Sequence, residues 1–144
     1  MDTKKFNNIC YTNEDFERAV ELLNQYDIDI VTHMMVGLPT DTKLKRETHE
    51  DIKNTVDFLN KQKIQGIKIH STYVVKDTVL EKLYNEKKYS PITLDEYLYE
   101  LEYILNNLRE DIIIHRISGD APKDLLVAPE WNAHKKWVLN RLKF

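Results

Sequence analysis

Apolar positions recur along this chain with two different periods. Between Asn13 and Tyr26, the residues Phe16, Ala19, Val20, Leu23 and Tyr26 return at helical spacing and give one apolar face. Thr12-Asn13-Glu14-Asp15, just ahead of them, has the form of a capped helix start. From Ile28 to Val36 the chain becomes β-branched and apolar, as a buried strand does. Gly37 then permits a sharp turn and Pro39 forbids further ladder pairing. Thr40, Asp41 and Thr42 stand where they can cap or seed a helix over Leu44 to Gln62. In that helix Ile52, Val56 and Leu59 share one side, while Lys45, Arg46, Glu47, Glu50 and Lys53 face water.

A period of two returns at Gly66, where Ile67, Ile69 and Ser71 point one way and Lys68, His70 and Thr72 the other. A short helical piece follows around Leu80 to Tyr84, then a turn at Ser90-Pro91. Thr93-Leu94-Asp95-Glu96 matches a capping box and opens a Tyr- and Leu-rich helix to about Leu108. Asp111 to Ile117 reads as a third strand, ending at Ser118-Gly119-Asp120-Ala121-Pro122. A short apolar patch, Leu125 to Pro129, precedes a final amphipathic helix carrying Trp131, Trp137, Val138 and Leu142. Residues 1–11 have no clear pattern.

Helices alternating with strands predict an α/β fold of parallel βαβ units with right-handed crossovers, over residues 1–144 as one domain. About three parallel strands leave two open edges, so the sheet either dimerises or belongs to a larger one. Parallel strands covered on both faces should be nearly uniformly apolar. These instead carry His33, then Lys68 and His70, then His115 and Arg116. One sheet face is therefore expected to look into a lumen or cleft. His33, His70 and His115 pose the question of a zinc site, but no short-spaced ligand pair supports one, and no metal ligand is assigned. Ser118-Gly119-Asp120 divides evenly between an anion-holding turn, with Asp120 or Asp124 as a base, and a plain turn in which Asp120 caps a helix.

Composition narrows the reading little. At 144 residues, 42% hydrophobic and 31% charged, the chain is long enough for a core and ordinary for a globular protein. A net charge of −3 with interspersed signs gives no nucleic-acid signal. No apolar run approaches the roughly 18 residues of a membrane helix, and Met1 to Lys5 lacks a signal-peptide core. Cys10 stands alone in the sequence, without a disulfide partner. The expected location is cytoplasmic.

Met34-Met35-Val36-Gly37-Leu38-Pro39, followed by Gly66-Ile67-Lys68-Ile69-His70 and His115-Arg116-Ile117-Ser118-Gly119-Asp120-Ala121-Pro122, resembles the carboxy-terminal half of radical S-adenosylmethionine proteins. It is similar in particular to the YhcC-like group, related to the Elp3 and oxygen-independent coproporphyrinogen oxidase branches. Asp124 to Trp131 extends the likeness, which runs over essentially the whole chain. The resemblance implies a partial (β/α) barrel of which this chain supplies the later strands. It implies S-adenosylmethionine, contacted by Val36, Gly37, Leu38, Pro39, Lys68 and His70. It also implies a substrate pocket of His33, His115, Arg116, Gly119 and Asp120, for a small-molecule or unknown substrate. A 4Fe-4S cluster would be held by a Cys-x-x-x-Cys-x-x-Cys loop in the first half. One cysteine cannot supply its three thiolates. Where the family has Gly-Glu-Thr after Gly-Leu-Pro, Thr40 and Asp41 stand in the first two places. The expectation is a carboxy-terminal fragment of an uncharacterised oxidoreductase-like enzyme, inactive without its amino-terminal half. The alternative is a non-catalytic module that homodimerises through its open edges.

Overall fold

A computed structural model describes residues 3–142. The elements run α1 (Thr3–Phe6), α2 (Asn13–Asn24), β1 (Val31–Val36), α3 (His49–Asn60), β2 (Gly66–Ser71), β3 (Val74–Val75) and α4 (Val79–Asn85). They continue with α5 (Leu94–Asn107), β4 (Ile113–Arg116), β5 (Leu126–Ala128), a 3-10 turn (Glu130–Ala133) and α6 (Lys135–Arg141). β1, β2 and β4 form a three-stranded parallel sheet in the order β1-β2-β4. This is the α/β architecture of parallel βαβ units that the alternation predicts.

The core lies between one face of that sheet and α3 and α5. Thr32, Met34 and Val36 of β1 and Ile67, Ile69 and Ser71 of β2 point into it. Ile52, Val56 and Leu59 of α3 and Tyr97, Leu101 and Ile104 of α5 meet them. Both helices start in full capping boxes, Thr48 with Asp51 and Thr93 with Glu96, as α2 does with Thr12 and Asp15. The reciprocal bonds satisfy amide groups that a helix start leaves without partners.

Four expectations change. Thr40, Asp41 and Thr42 cap no helix; residues 37–47 form a loop and α3 begins only after Thr48. Thr40 is buried, with its hydroxyl 2.9 Å from that of Thr42. Arg46 ties the loop down through Glu96, at 2.6 Å, and the Ser90 carbonyl, at 3.2 Å. The tail is not one amphipathic helix: Trp131 sits in the 3-10 turn, and α6 covers only Lys135–Arg141. The apolar patch before it becomes β5, antiparallel to β3, in a second small sheet that local periodicity does not announce. On α2, Val20 is buried but Leu23 is exposed, and Tyr26 lies beyond the helix end, 70% exposed.

In β4 all four residues are exposed, whereas β1, the other edge of the sheet, keeps an alternating buried face. A bulge sits in β4. Ile67 pairs with Ile114 but Lys68 pairs with Arg116, so β4 carries one residue, His115, more than its partner. Gly66 accommodates it: a Cβ there would lie 2.6 Å from the His115 ring. Any side chain at 66 would displace the imidazole.

Candidate functional site

The sheet face opposite the core holds the polar side chains. Alternation on β1 turns His33 and Met35 to this side, and on β2 it turns Lys68 and His70. In a regular strand His115 and Arg116 would face opposite ways. The bulge brings Arg116 into register with Lys68 and lays the His115 ring over Gly66, so both reach the uncovered face. The imidazoles of His33 and His70 stack, with centroids 5.2 Å apart and planes 21° apart. The Nε2 of His70 is buried without a hydrogen-bond partner. Burial, and then electrostatic repulsion from the basic side chains His33, Arg116 and Lys68, hold the His70 ring below the usual histidine range.

The turn after β1 is closed from within. Gly37 takes φ +88°, a left-handed conformation that glycine adopts without strain, and its missing Cβ leaves room for the Ile92 side chain at 3.1 Å. The Gly37 and Leu38 amides both donate to Oε2 of Glu47 at 3.2 Å, and the Glu47 amide donates back to the Leu38 carbonyl at 2.8 Å. Tyr89 donates its hydroxyl to the Gly37 carbonyl at 2.8 Å, and Asn7 its side-chain amide to that of Pro39 at 2.9 Å. Sequence reasoning missed Glu47, Tyr89 and Asn7. Glu47 stands among charged residues that local periodicity assigns to a helix surface, so nothing local marks it as closing the turn.

Glu47 is pushed up to about 7, by burial foremost and by Asp51 and Glu100, against the two backbone donors that hold it down. The folded chain thus holds this proton more tightly than the unfolded chain, where Glu ionises near 4.5. Stability therefore falls as pH rises through that window, by at most about 1.4 kcal/mol per pH unit from this group. Urea midpoints between pH 5 and 8 are expected to show this slope, flattened in Glu47→Gln. Equal slopes in the two proteins would reject the assignment.

The expected site residues divide. His33, Lys68, His70, His115 and Arg116 share the open face. Val36 does not join them: its side chain is wholly buried in the core, and its carbonyl accepts from the Thr72 amide at 2.9 Å. The reason is strand alternation, which sends residue 36 to the side of 32 and 34. Leu38 lines a groove of about 350 Å³ along the outer edge of β1, with Phe16, Thr32 to Met35, Phe58 and Leu59. Gly119 lies beside His70: a Cβ there would be 3.4 Å from its Nδ1. Asp120 caps no helix; its carboxylate is exposed, 3.7 Å from Lys135 Nζ, and its carbonyl accepts from Tyr73 at 3.4 Å. Thr72 and Ser118, just past the ends of β2 and β4, are buried with hydroxyls that lack partners. Among the described residues no group of three or more His, Cys, Asp or Glu is placed to hold a metal ion. No described helix is long and apolar enough to cross a membrane.

Comparisons with known proteins converge on one family. The chain is 29% identical over 133 residues to YtqA of Bacillus subtilis, covering 92% of this chain and 38% of that protein. It is 25% identical over 123 residues to YhcC of Escherichia coli, covering 85% of this chain and 38% of that one. The chain thus spans about 38% of the length of these curated relatives. The solved structure of the archaeal Methanocaldococcus infernus Elp3 with an N-terminal deletion shares the fold, with a TM-score of 0.77 at 18% identity. That likeness covers 96% of this chain and 32% of the Elp3 chain. Residues 64–143 match the Radical_SAM C-terminal domain, more than half of the sequence, and the chain belongs to that family.

Proposed function

We propose that this chain forms one arc of a radical S-adenosylmethionine barrel and supplies part of its cofactor and substrate wall, without catalysing alone. The observation that carries the reading is the basic, uncovered face of the three parallel strands, with the Gly37 and Gly119 turns at their carboxyl ends. In barrels built from βα units, ligands gather at that end of the strands. The uncovered sheet face corresponds to a barrel interior, and the groove along β1 corresponds to the place of a neighbouring strand. Phe16 of α2, Phe58 and Leu59 of α3 and the unpaired edge of β1 bound that groove. An apolar strand fitting there would also cover part of the face that α2 leaves in water.

The residues present fit the two expected cofactors differently. For S-adenosylmethionine, Leu38 and Met35 offer apolar wall, and Lys68 and His70 offer polar groups, His70 with an unpartnered Nε2. The backbone of the Gly-Leu-Pro turn is already engaged by Glu47, Tyr89 and Asn7, so it contributes shape more than donors. When bound beside a reduced cluster, S-adenosylmethionine supplies the family's reductive cleavage chemistry. The 4Fe-4S cluster does not fit this chain: Cys10 is the sequence's one cysteine, and it is exposed.

Two measurements test the reading. Anaerobic reconstitution with iron and sulfide is expected to leave no stoichiometric cluster absorption. Nuclear magnetic resonance titration with S-adenosylmethionine is expected to move the resonances of Met35, Leu38 and His70 saturably. A four-iron cluster on the chain alone, or no perturbation at those residues, overturns it. One observation favours a second reading, a homodimerising module: the outer sides of β1 and β4 are both unpaired. A solution mass twice that of the chain, with the β1 edge protected from amide exchange, would establish it.

A further inference from the structure

We propose that the uncovered face of the β1-β2-β4 sheet receives a phosphoryl group carried by the ligand of this site. The inference rests on the pocket reading above and goes further by stating what class of group the pocket takes.

Five nitrogen-bearing side chains from three adjacent strands converge there. β2 puts Lys68 in register with His33 on one side and Arg116 on the other. His70 stacks on His33, and His115 lies over Gly66. The side chains that act electrostatically to hold His70 down are all basic ones: His33, Arg116 and Lys68. Asp120, the acid in the adjoining turn, directs its carboxylate to Lys135 instead. The chain as a whole has 24 acidic residues against 21 Lys and Arg, so a basic patch without acids departs from its average.

Cations held opposite one another across strands repel. A fold gains nothing from placing Lys68 against Arg116 with no carboxylate between them, unless an anion offsets the repulsion. Among the described residues, His33, Lys68, His115 and Arg116 have no hydrogen-bond or ion-pair partner, so their donors are available. The donor set selects the anion. A guanidinium, an ammonium and imidazoles offer more N–H groups than the two oxygens of a carboxylate accept. A terminal phosphoryl group presents three acceptor oxygens and up to two charges, and Arg binds it as a fork.

The test is titration of the chain, labelled in its histidine rings, with inorganic pyrophosphate, with acetate at matched ionic strength, and with S-adenosylmethionine. Pyrophosphate is expected to move the His33 and His70 rings saturably and to bind at least about tenfold more tightly than acetate. That affinity is expected to fall as sodium chloride is raised, because the groups are near solvent. Lys68→Ala and Arg116→Ala are each expected to weaken it about tenfold while leaving the far-ultraviolet circular dichroism unchanged, since neither side chain lies in the core. Non-saturating shifts, equal affinity for acetate, or indifference to both substitutions would overturn the proposal. The salt titration of the unaltered chain decides the matter if a variant misfolds. S-adenosylmethionine moving Met35 and Leu38 while pyrophosphate leaves both rings unmoved would sink this inference alone. Pyrophosphate binding without S-adenosylmethionine binding would sink the pocket reading for that cofactor and keep this one.

Discussion

Trp131→Ala is expected to destabilise the chain by about 4 kcal/mol, measured by urea unfolding at neutral pH. The indole is buried, its ring centroid lies 5.1 Å from that of Tyr97, and its N–H donates to the Ile92 carbonyl at 2.9 Å. Removing it opens a cavity against a wholly buried Tyr97 and leaves the Ile92 carbonyl without that donor. The damage spreads to both strand-end turns. Tyr97 donates its hydroxyl to the Ile117 carbonyl at 2.7 Å, just before Ser118-Gly119, and the Ile92 side chain fills the space beside Gly37. Trp131→Phe keeps most of the buried area and loses the hydrogen bond, so it should cost about 1–2 kcal/mol. A loss below about 1 kcal/mol for the alanine variant would show that the 3-10 turn is not part of the cooperative core.

Arg109→Met is expected to cost about 3 kcal/mol, through backbone groups and not through apolar burial. The Arg109 guanidinium donates to the carbonyls of Asn60 and Gln62 at 2.7 Å and of Ile64 at 3.2 Å. Its Nε donates to Asp111 at 2.7 Å, and its own amide donates to the Asn60 side chain at 2.8 Å. A positive group there meets the carbonyl end of α3, where the helix dipole favours it, and ties the entry to β2 to the entry to β4. The methionine stem retains the packing of the methylenes but leaves three carbonyls without this donor. Arg109→Lys keeps the charge and loses the planar fork, so it should recover less than half of the difference. If lysine restored full stability, charge alone would account for the site and the fork would not matter.

Much of the fold was legible because its signals are local. The capping boxes at Thr12 and Thr93 need only four consecutive residues, and the structure places helix starts at both. The alternation Ile67-Lys68-Ile69-His70-Ser71 sorts its side chains to two faces wherever the strand pairs, and that split survives intact. The resemblance at Gly-Leu-Pro and at His115 to Pro122 identified the family, since motif order does not depend on contacts.

What escaped depends on residues distant in the chain. Thr48 and Asp51 form a capping box of the same kind, yet the helix pattern extended back to Leu44 because Leu44 and the charged residues after it suit a helix surface. The loop forms instead because Arg46 finds Ser90 and Glu96, and Glu47 finds the Gly37 and Leu38 amides. β5 is too short to announce itself and exists through its antiparallel pairing with β3. Trp131 and Trp137, six apart, do not share a helix face closely, so one of them is free to cover another element. That the Trp131 N–H reaches Ile92 is something no local period encodes.

The amino-acid order by itself determined the α/β alternation, the parallel sheet, the family and the basic character of one sheet face. These follow from side-chain period, turn chemistry and motif, which act within a few residues. The tertiary structure alone decided that Val36 faces the core, that a bulge turns His115 and Arg116 to the same side, and that Glu47 closes the turn after β1. Each of those outcomes is settled by pairing register and by desolvation against residues far along the chain, and neither quantity exists until the chain has folded.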